Sequence, residues 1–433
     1  MKNLLKNRFV ANTNWVVLQQ ICQLILSLFV GVFTARYLGP SNYGIINYAA
    51  SFLSLFTSVC SLGMDSVIIK NMIDEPEREG ELLGSCIVFR VISGILSSIS
   101  AAVFVIILNP GETETIIVCA IYSLSLILKA PEILGCWFQR YLKSKYVSIA
   151  RTIAYILVSA YKIFLLVTQQ SLIWFAFSIL LEHFLLSGVE VVFYFKLNAQ
   201  KLSVNFRTGF DVLKNSYHFI LSGLMVAIYG HMDKLMLKEM IDTTSVGLYS
   251  IASAICTMWI FVPTAIIGSA RPIIMEYKKS GNNDMYYYRL KQLYSAVIWL
   301  CVFVSAIISI FGSLAIDILY GEAYLDAAPT LKILIWSEVF SMIGTARGVW
   351  VVSEGKQKYV KYYLFYGVVV NLVLNWILIP KMGIAGAALA TLVTQITTSL
   401  IAPLFYRETR IHTKYVFESF LFTWYFRRKE MKK

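Results

Sequence analysis

Seven basic side chains of this 433-residue chain fall inside long apolar runs: Arg90, Lys129, Arg151, Lys162, Lys234, Lys332 and Arg347. Facing hydrocarbon, each costs at least about 2.5–3.5 kcal/mol, so each needs a counter-charge, water or a ligand. Arg151, Lys162, Lys332 and Arg347 lie within about two helical turns of the end of a run and can reach the interface along their own stems. Arg90 and Lys129 cannot, because at 1.5 Å per residue both sit roughly 12–13 Å from the same end of successive runs. They share a depth, and Glu132, three residues after Lys129, is placed to neutralise only one of them. Two cations so buried either hold structural partners or line a wet cavity that an anionic substrate visits. On the acidic side, Glu182 lies near the middle of a run, His183 and Glu190 fall seven apart on one helical face, and His231 and Asp233 stand beside Lys234. Carboxylates and histidines at such depth can carry a coupling proton or sodium ion, or can pair with the basic residues. Glu182, Asp233 and Glu190 are the coupling candidates.

Only membrane-spanning helices can position such groups. Hydrophobic residues make up 58% of the chain and charged residues 15%, with a mean hydropathy of +0.67, whereas soluble proteins carry about a quarter charged residues. A soluble enzyme is excluded. A span needs about 20 apolar residues, and the apolar windows predict twelve: 12–34, 40–64, 82–108, 114–138, 146–168, 171–195, 214–240, 245–270, 290–316, 327–352, 359–380 and 383–406. The breaks between them are turn formers such as Gly39-Pro40-Ser41-Asn42, Asn109-Pro110-Gly111 and Ser280-Gly281-Asn282-Asn283.

A formal charge of +13 would suggest nucleic-acid binding in a soluble protein; in a membrane protein it sets topology. With the N-terminus in the cytoplasm, 28 basic residues fall in inner segments and only Arg36, Lys238 and Lys381 outside. That asymmetry requires an even number of spans and both termini inside. Residues 1–195 then form a first lobe, 196–213 a cytoplasmic loop, 214–406 a second lobe and 407–433 a tail. The tail mixes Phe417, Phe420, Leu421, Phe422, Trp424, Tyr425 and Phe426 with terminal basic residues, as an interfacial helix on an anionic leaflet does. The seven cysteines lie in apolar segments without CxxC spacing and read as packing residues. The first apolar run, rich in Asn and Gln, reads as an uncleaved helix rather than a signal peptide.

Between the halves there are weak echoes. Tyr43-Gly44-Ile45-Ile46-Asn47-Tyr48-Ala49-Ala50-Ser51 parallels Val246-Gly247-Leu248-Tyr249-Ser250-Ile251-Ala252-Ser253, and Lys145-Tyr146-Val147 parallels Lys358-Tyr359-Val360. Such a parallel repeat places two six-helix lobes about an axis along the membrane normal. The chain has no Walker A loop, no HExxH and no GxSxG, and its four histidines are scattered. Transport fits better than catalysis; no metal site and no cofactor are expected.

Ala35-Arg36-Tyr37-Leu38-Gly39-Pro40-Ser41-Asn42-Tyr43-Gly44 and Tyr48-Ala49-Ala50-Ser51-Phe52 resemble the helix 1–2 signature of Wzx-type oligosaccharide flippases, members of the multidrug/oligosaccharidyl-lipid/polysaccharide exporter superfamily. Met232-Asp233-Lys234-Leu235-Met236-Leu237, Val246-Gly247-Leu248-Tyr249 and Ile260-Phe261-Val262-Pro263 resemble its helix 7–8 region. So do Asn371-x-x-x-Asn375-Trp376-Ile377-Leu378-Ile379-Pro380 and the run from Gly383 through Gly386 to Thr391 for helices 11–12; Gly383 and Gly386 also read as close helix packing through small residues. The resemblance implies a V-shaped all-α exporter of about twelve spans in the bacterial cytoplasmic membrane. It further implies flipping of an undecaprenyl-pyrophosphate-linked oligosaccharide for O-antigen, capsule or exopolysaccharide assembly; the cations within spans, Arg90, Lys129 and Lys234, are the candidates to bind its pyrophosphate. Coupling to H+ or Na+ and partnership with a polysaccharide polymerase and chain-length machinery would follow. Peptidoglycan lipid-precursor flippases usually carry two helices more. A multidrug or cation antiporter of the same superfamily would favour acidic charge within the spans, and a membrane polymerase would need a large outer loop, absent here.

The charge asymmetry makes one measurable claim. Single cysteines introduced at 74–80, 200–210, 278–284 and 355 in a cysteine-free background should be labelled from the cytoplasmic side only. Labelling of any two of these from outside would overturn the twelve-span topology.

Overall fold

The computed structural model describes the backbone of residues 2–422 and the side chains from Trp15 onward, Val17 and Ser66 excepted. Trp424, Tyr425, Phe426 and the terminal basic residues of the tail lie outside the described residues. Fifteen helices account for almost all of the described chain: α1 (Lys2–Cys60), α2 (Met64–Asp74), α3 (Glu79–Leu108), α4 (Thr113–Leu128), α5 (Gly135–Arg140), α6 (Ser144–Val167), α7 (Leu172–Lys196), α8 (Phe206–Met240), α9 (Thr243–Thr257), α10 (Phe261–Lys279), α11 (Asn283–Tyr320), α12 (Ala328–Ser353), α13 (Val360–Met382), α14 (Ile384–Ile396) and α15 (Arg410–Phe420). No strand occurs among the described residues. Among the described residues nine helical stretches are long and apolar enough to cross a membrane, and the bent pair α9–α10 is a tenth.

Two features bring this to twelve passes. The apolar stretch Leu18–Cys60 has 43 residues, about 65 Å at 1.5 Å per residue, or twice the hydrocarbon thickness. It breaks at Gly39, whose φ of 70° only glycine adopts without strain, and Pro40 restarts the helix at its first position. α12, 26 residues long, is the other; Lys332, Glu338 and Arg347 lower its mean hydropathy, yet its length suffices to cross.

Several expected boundaries shift for identifiable reasons. The span expected at 245–270 is two helices bent by 40°. Pro263 has no N–H for the carbonyl of Trp259, which accepts from Val262 instead at 3.0 Å. The span expected at 114–138 ends as α-helix at Leu128, because Pro131 opens a 3₁₀ turn, Ala130–Leu134, before α5. Helices α8 and α11 begin about two turns earlier than their apolar windows. Their first turns are polar but capped: Asn205 Oδ1 accepts the Arg207 N–H at 3.0 Å, and Asn282 Oδ1 accepts the Met285 N–H at 3.1 Å.

The chain divides into two compact units, Met1–His231 and Met232–Lys433, the division falling inside α8. In the first unit, α1 packs on α6 and α4, α3 on α4, and α6 and α4 on α7. Its core at the lysine- and arginine-rich end gathers Met64, Ile68, Leu83, Ile133, Trp137, Phe138 and Tyr194, with Val212 of α8. Glu79, at the start of α3, is buried there: it accepts from Trp137 Nε1 at 3.1 Å and Tyr141 OH at 2.7 Å, and pairs with Arg140. The connection 197–205 runs pressed along α3. A Cβ on Gly80 would stand 2.2 Å from the Lys201 carbonyl oxygen, and one on Gly84 would stand 2.3 Å from that of Ser203. Ser203 N–H donates to the Gly80 carbonyl at 3.2 Å, and Asn205 N–H to Ser85 Oγ at 2.9 Å.

In the second unit α12 packs on α11, α14 and α9, and α13 on α14. α15 docks on α11 through Lys291 and Glu418 (2.5 Å), Ser295 Oγ on the Ser419 carbonyl (2.8 Å) and Trp299 Nε1 on the Phe420 carbonyl (3.2 Å). His412, on the inner face of α15, is buried, while Phe417, Phe420 and Leu421 stay exposed. Just before α15, Glu408 bonds Lys356 and Tyr359, which hold its carboxyl down at about 2. Because the folded value lies below the unfolded one, this clasp is intact above the ordinary carboxylate range and loosens only as pH falls towards 2. All seven cysteines are free thiols, six of them buried, consistent with packing.

Of the two glycines read as packing residues, Gly386 of α14 makes a close backbone approach, while Gly383, just before α14, serves as a turn. Gly383 turns the chain with φ 60°, and a Cβ on Gly386 would lie 2.4 Å from the Leu378 carbonyl oxygen. Gly386→Ala should therefore destabilise by about 1–3 kcal/mol, read as a lower melting midpoint in detergent. Gly344→Ala, where a Cβ meets nothing within 4 Å, should leave the midpoint unchanged; equal effects would refute the contact.

Candidate functional site

Charge inside the first unit collects where α3, α4 and α7 meet. Gly94 lets α3 approach α4 so closely that a Cβ there would sit 2.9 Å from the Leu126 carbonyl oxygen and 3.1 Å from Ile127 Cα. Arg90, one turn before Gly94, and Lys129, two residues after Ile127, therefore lie level on antiparallel helices, as their shared depth predicted. Lys129 stands at the helix break, where α4 gives way to the 3₁₀ turn. Arg90 is 6% exposed and its Nη2 donates to Asp65 Oδ2 at 2.8 Å. Helical spacing does not point to this partner, because Asp65 follows the αL turn at Leu62-Gly63 that ends α1 and starts α2. Within the pair the guanidinium is buried, but the Asp65 side chain is 56% exposed.

Glu132 does not neutralise Lys129, contrary to expectation. The 3₁₀ turn rotates it towards α7, where its Oε1 meets His183 Nδ1 at 2.7 Å, and the i, i+3 argument holds only along a continuous α-helix. Among the described residues no carboxylate lies within ion-pair distance of Lys129. On the same face of α7, Ser187 Oγ donates to the Leu128 carbonyl at 2.6 Å, and Glu190 lies buried with Oε2 lacking any hydrogen-bond partner, as the seven-residue spacing placed it. Glu182 is half-buried and makes no ion pair among the described residues.

Arg347 does not reach the interface. It is 8% exposed; its Nη1 donates to the Thr398 carbonyl at 2.5 Å, and its guanidinium lies 4.5 Å from the Tyr363 ring centroid. The carbonyl is offered by a π-helical turn, Thr397–Ile401, which no periodicity argument foresees. Arg151 and Lys332 are exposed and Lys162 half-buried.

The second unit holds a separate polar centre built on Asp233, 7% exposed. Its Oδ1 accepts from Asn371 Nδ2 at 2.9 Å and Asn375 Nδ2 at 2.6 Å. Its Oδ2 accepts from Tyr249 OH at 2.7 Å and Thr391 Oγ1 at 2.5 Å. Asn371 and Asn375 share a face of α13 because they are one turn apart, and Asn375 Nδ2 also meets Asn371 Oδ1 at 3.1 Å. Four donors satisfy the carboxylate, yet Asn375 Oδ1 is buried with no donor of its own. Sequence reasoning singled out Asp233 and the Asn-x-x-x-Asn run separately; what joins them is the return of α14, which Gly386 brings against α13. Lys234, the next residue, is half-buried in α8.

Fold and polar centres together define a polytopic membrane transporter of two helical units with charge inside its spans. The family model described as polysaccharide biosynthesis protein matches residues 9–278, and a MatE model matches 219–377; the first covers more than half of the chain, which therefore belongs to the polysaccharide biosynthesis protein family. The capsular polysaccharide biosynthesis protein CapF of Staphylococcus aureus is 22% identical over 419 residues, covering 92% of this chain and 98% of CapF. The probable low-salt glycan biosynthesis flippase Agl15 of Haloferax volcanii is 22% identical over 374 residues, covering 84% of this chain and 76% of Agl15. Among solved structures, the lipid II flippase MurJ in an inward closed conformation superposes with a TM-score of 0.76 at 18% identity, covering 94% of this chain and 91% of MurJ. That likeness carries the fold.

The reassignment of Glu132 can be tested by thermal unfolding. Glu132→Ala and His183→Ala should be non-additive with each other, with a coupling of about 0.5–3 kcal/mol, while Glu132→Ala and Lys129→Ala should simply add. Coupling to Lys129 in place of His183 would reverse the assignment.

Proposed function

We propose that this protein flips an undecaprenyl-pyrophosphate-linked oligosaccharide repeat unit from the inner to the outer leaflet of the bacterial cytoplasmic membrane, for surface polysaccharide assembly. One observation carries this reading: in a chain of the polysaccharide biosynthesis family, Lys129 has no carboxylate within ion-pair distance among the described residues and stands level with the buried Arg90. A pyrophosphate headgroup supplies the anion that Lys129 lacks and an acceptor for the Arg90 Nε–H, which is buried without a hydrogen-bond partner. Asp65 holds the guanidinium in its absence, and being more than half exposed it can give way to phosphate oxygens, which Arg binds bidentately. The headgroup cannot cross about 30 Å of hydrocarbon unaided, whereas its polyprenyl tail can remain in lipid. Lys234 is a further candidate for the pyrophosphate. The count of 28 basic residues against three supports cytoplasmic termini. A polysaccharide polymerase and chain-length machinery would take the flipped product.

Asp233 is the coupling residue in this scheme. Its neighbours are amide and hydroxyl groups that can turn oxygens inward, and with the undonated Asn375 Oδ1 they form an oxygen-rich shell suited to a hard monovalent cation such as sodium. A proton on Asp233 would act through the same cage by displacing a donor. Glu190 and Glu182 are the alternatives in the first unit. The acidic cage also suits the second reading, a cation antiporter of the same superfamily.

Reconstituted into vesicles with a fluorescent polyprenyl-pyrophosphate glycan, Arg90→Ala should abolish flipping and Arg90→Lys impair it, whereas Lys129→Arg should be tolerated. Normal flipping by Lys129→Ala/Glu132→Ala would remove Lys129 from the site. Asp233→Asn should lose the dependence of flipping on an imposed ion gradient while retaining glycan-lipid binding in detergent. Parallel loss of both would make Asp233 a structural residue.

A further inference from the structure

The hairpin α10–α11 leaves a groove on its surface with a volume of about 350 Å³. α10 contributes Ile266, Ala270, Ile273 and Ile274, spaced four, three and one apart, and α11 contributes Leu293 and Ala296; both sets are one face of a helix. Ile274 (1% exposed) and Leu293 (4%) form the floor, and Ile273, 51% exposed, a rim. Only two polar residues line it, Arg289 and Gln292, both towards the hairpin turn that carries Lys278 and Lys279. From Arg289 to Ala296 the groove runs seven residues, about 10 Å.

Arg289 is what makes this groove more than a crease. Its Nη1 donates to Gln292 Oε1 at 2.8 Å, and its guanidinium lies 5.8 Å from the Tyr288 ring centroid. Yet Nε is buried without any hydrogen-bond partner, and no carboxylate lies within ion-pair distance of Arg289 among the described residues. A buried guanidinium N–H without an acceptor costs about 1–3 kcal/mol or more. Arg271, next to the groove-lining Ala270, is exposed and adds a second positive charge.

We propose that this groove is a binding site for one anionic phospholipid, its phosphate on the Arg289 Nε–H and an acyl chain along Ile266, Ala270, Leu293 and Ala296. Charge complementarity selects this occupant. The cationic end lies at the hairpin turn, where a headgroup belongs, and the apolar end points to where hydrocarbon lies; about 10 Å holds roughly eight methylenes. Gln292 holds the guanidinium through Nη1 and leaves the Nε–H for an acceptor that enters the groove. The leaflet rests on the orientation given above, which places this hairpin at the cytoplasmic, anionic side; the site itself does not depend on what the protein transports.

The test uses the purified full chain in a neutral detergent, with the thermal midpoint followed against phosphatidylglycerol, phosphatidylcholine and inorganic phosphate. Phosphatidylglycerol should half-saturate at about tenfold lower concentration than phosphatidylcholine, and phosphate should do nothing. Arg289→Ala should bring the two lipids within about twofold of each other, Arg289→Lys should keep most of the preference, and Ala296→Trp, which fills the groove with the cation intact, should weaken phosphatidylglycerol by about tenfold. Equal response of the wild-type protein to both lipids overturns the proposal without recourse to any variant. So does a preference that survives Arg289→Ala, or one that inorganic phosphate reproduces, which would mark a plain anion site. Flipping is not the readout, so a protein that binds phosphatidylglycerol but flips no glycan would refute the transport reading and leave this site standing.

Discussion

Hydrocarbon does not solvate charge, and the organisation of this protein follows from that constraint. Each ionic group within the spans has one of a few fates. Arg347 is removed from lipid by a carbonyl and an aromatic ring. Glu132 and His183 satisfy each other, and Asp233 is enclosed by four donors. Arg90 is held by a partner that is itself exposed. Lys129, level with Arg90, has no carboxylate within ion-pair distance among the described residues, and the functional reading grows from that imbalance.

The two polar centres are built by different means. That of the first unit depends on helix irregularities: the αL turn before α2 delivers Asp65, and the 3₁₀ turn after α4 both exposes the Lys129 position and swings Glu132 to α7. The Asp233 cage depends on regularity instead. Asn371 and Asn375 are aligned by one clean turn of α13, and Thr391 is brought in because Gly386 permits backbone contact between α13 and α14.

How much could be read in advance divides along the same line. Span positions, their approximate ends and the level of Arg90 and Lys129 follow from apolar periodicity and helical rise, which are properties of each helix alone. The partners do not, because a salt bridge such as Arg90–Asp65 depends on the rotation of a short helix after an αL turn, and the Glu132 misassignment came from extending α-helical spacing through Pro131. Polar first turns hid the true starts of α8 and α11, where capping by Asn205 and Asn282 rather than apolarity decides. Arg347 was legible as a cation near a helix end but not as a buried one, since its partner is a π-helical carbonyl.

The way residues 197–205 lie against α3 also bears on how the chain is made. Gly80 and Gly84 accept the connection so closely that it is part of the first unit's packing, and Val212 of α8 completes the core around Leu83 and Trp137. A nascent chain that has finished only α7 therefore still lacks the layer that closes this core, and the first unit matures after the start of α8 has been synthesised. Chimeras that exchange halves between relatives should be joined within α8 near His231, where the packing divides, and not in the loop, where the sequence looks most like a linker.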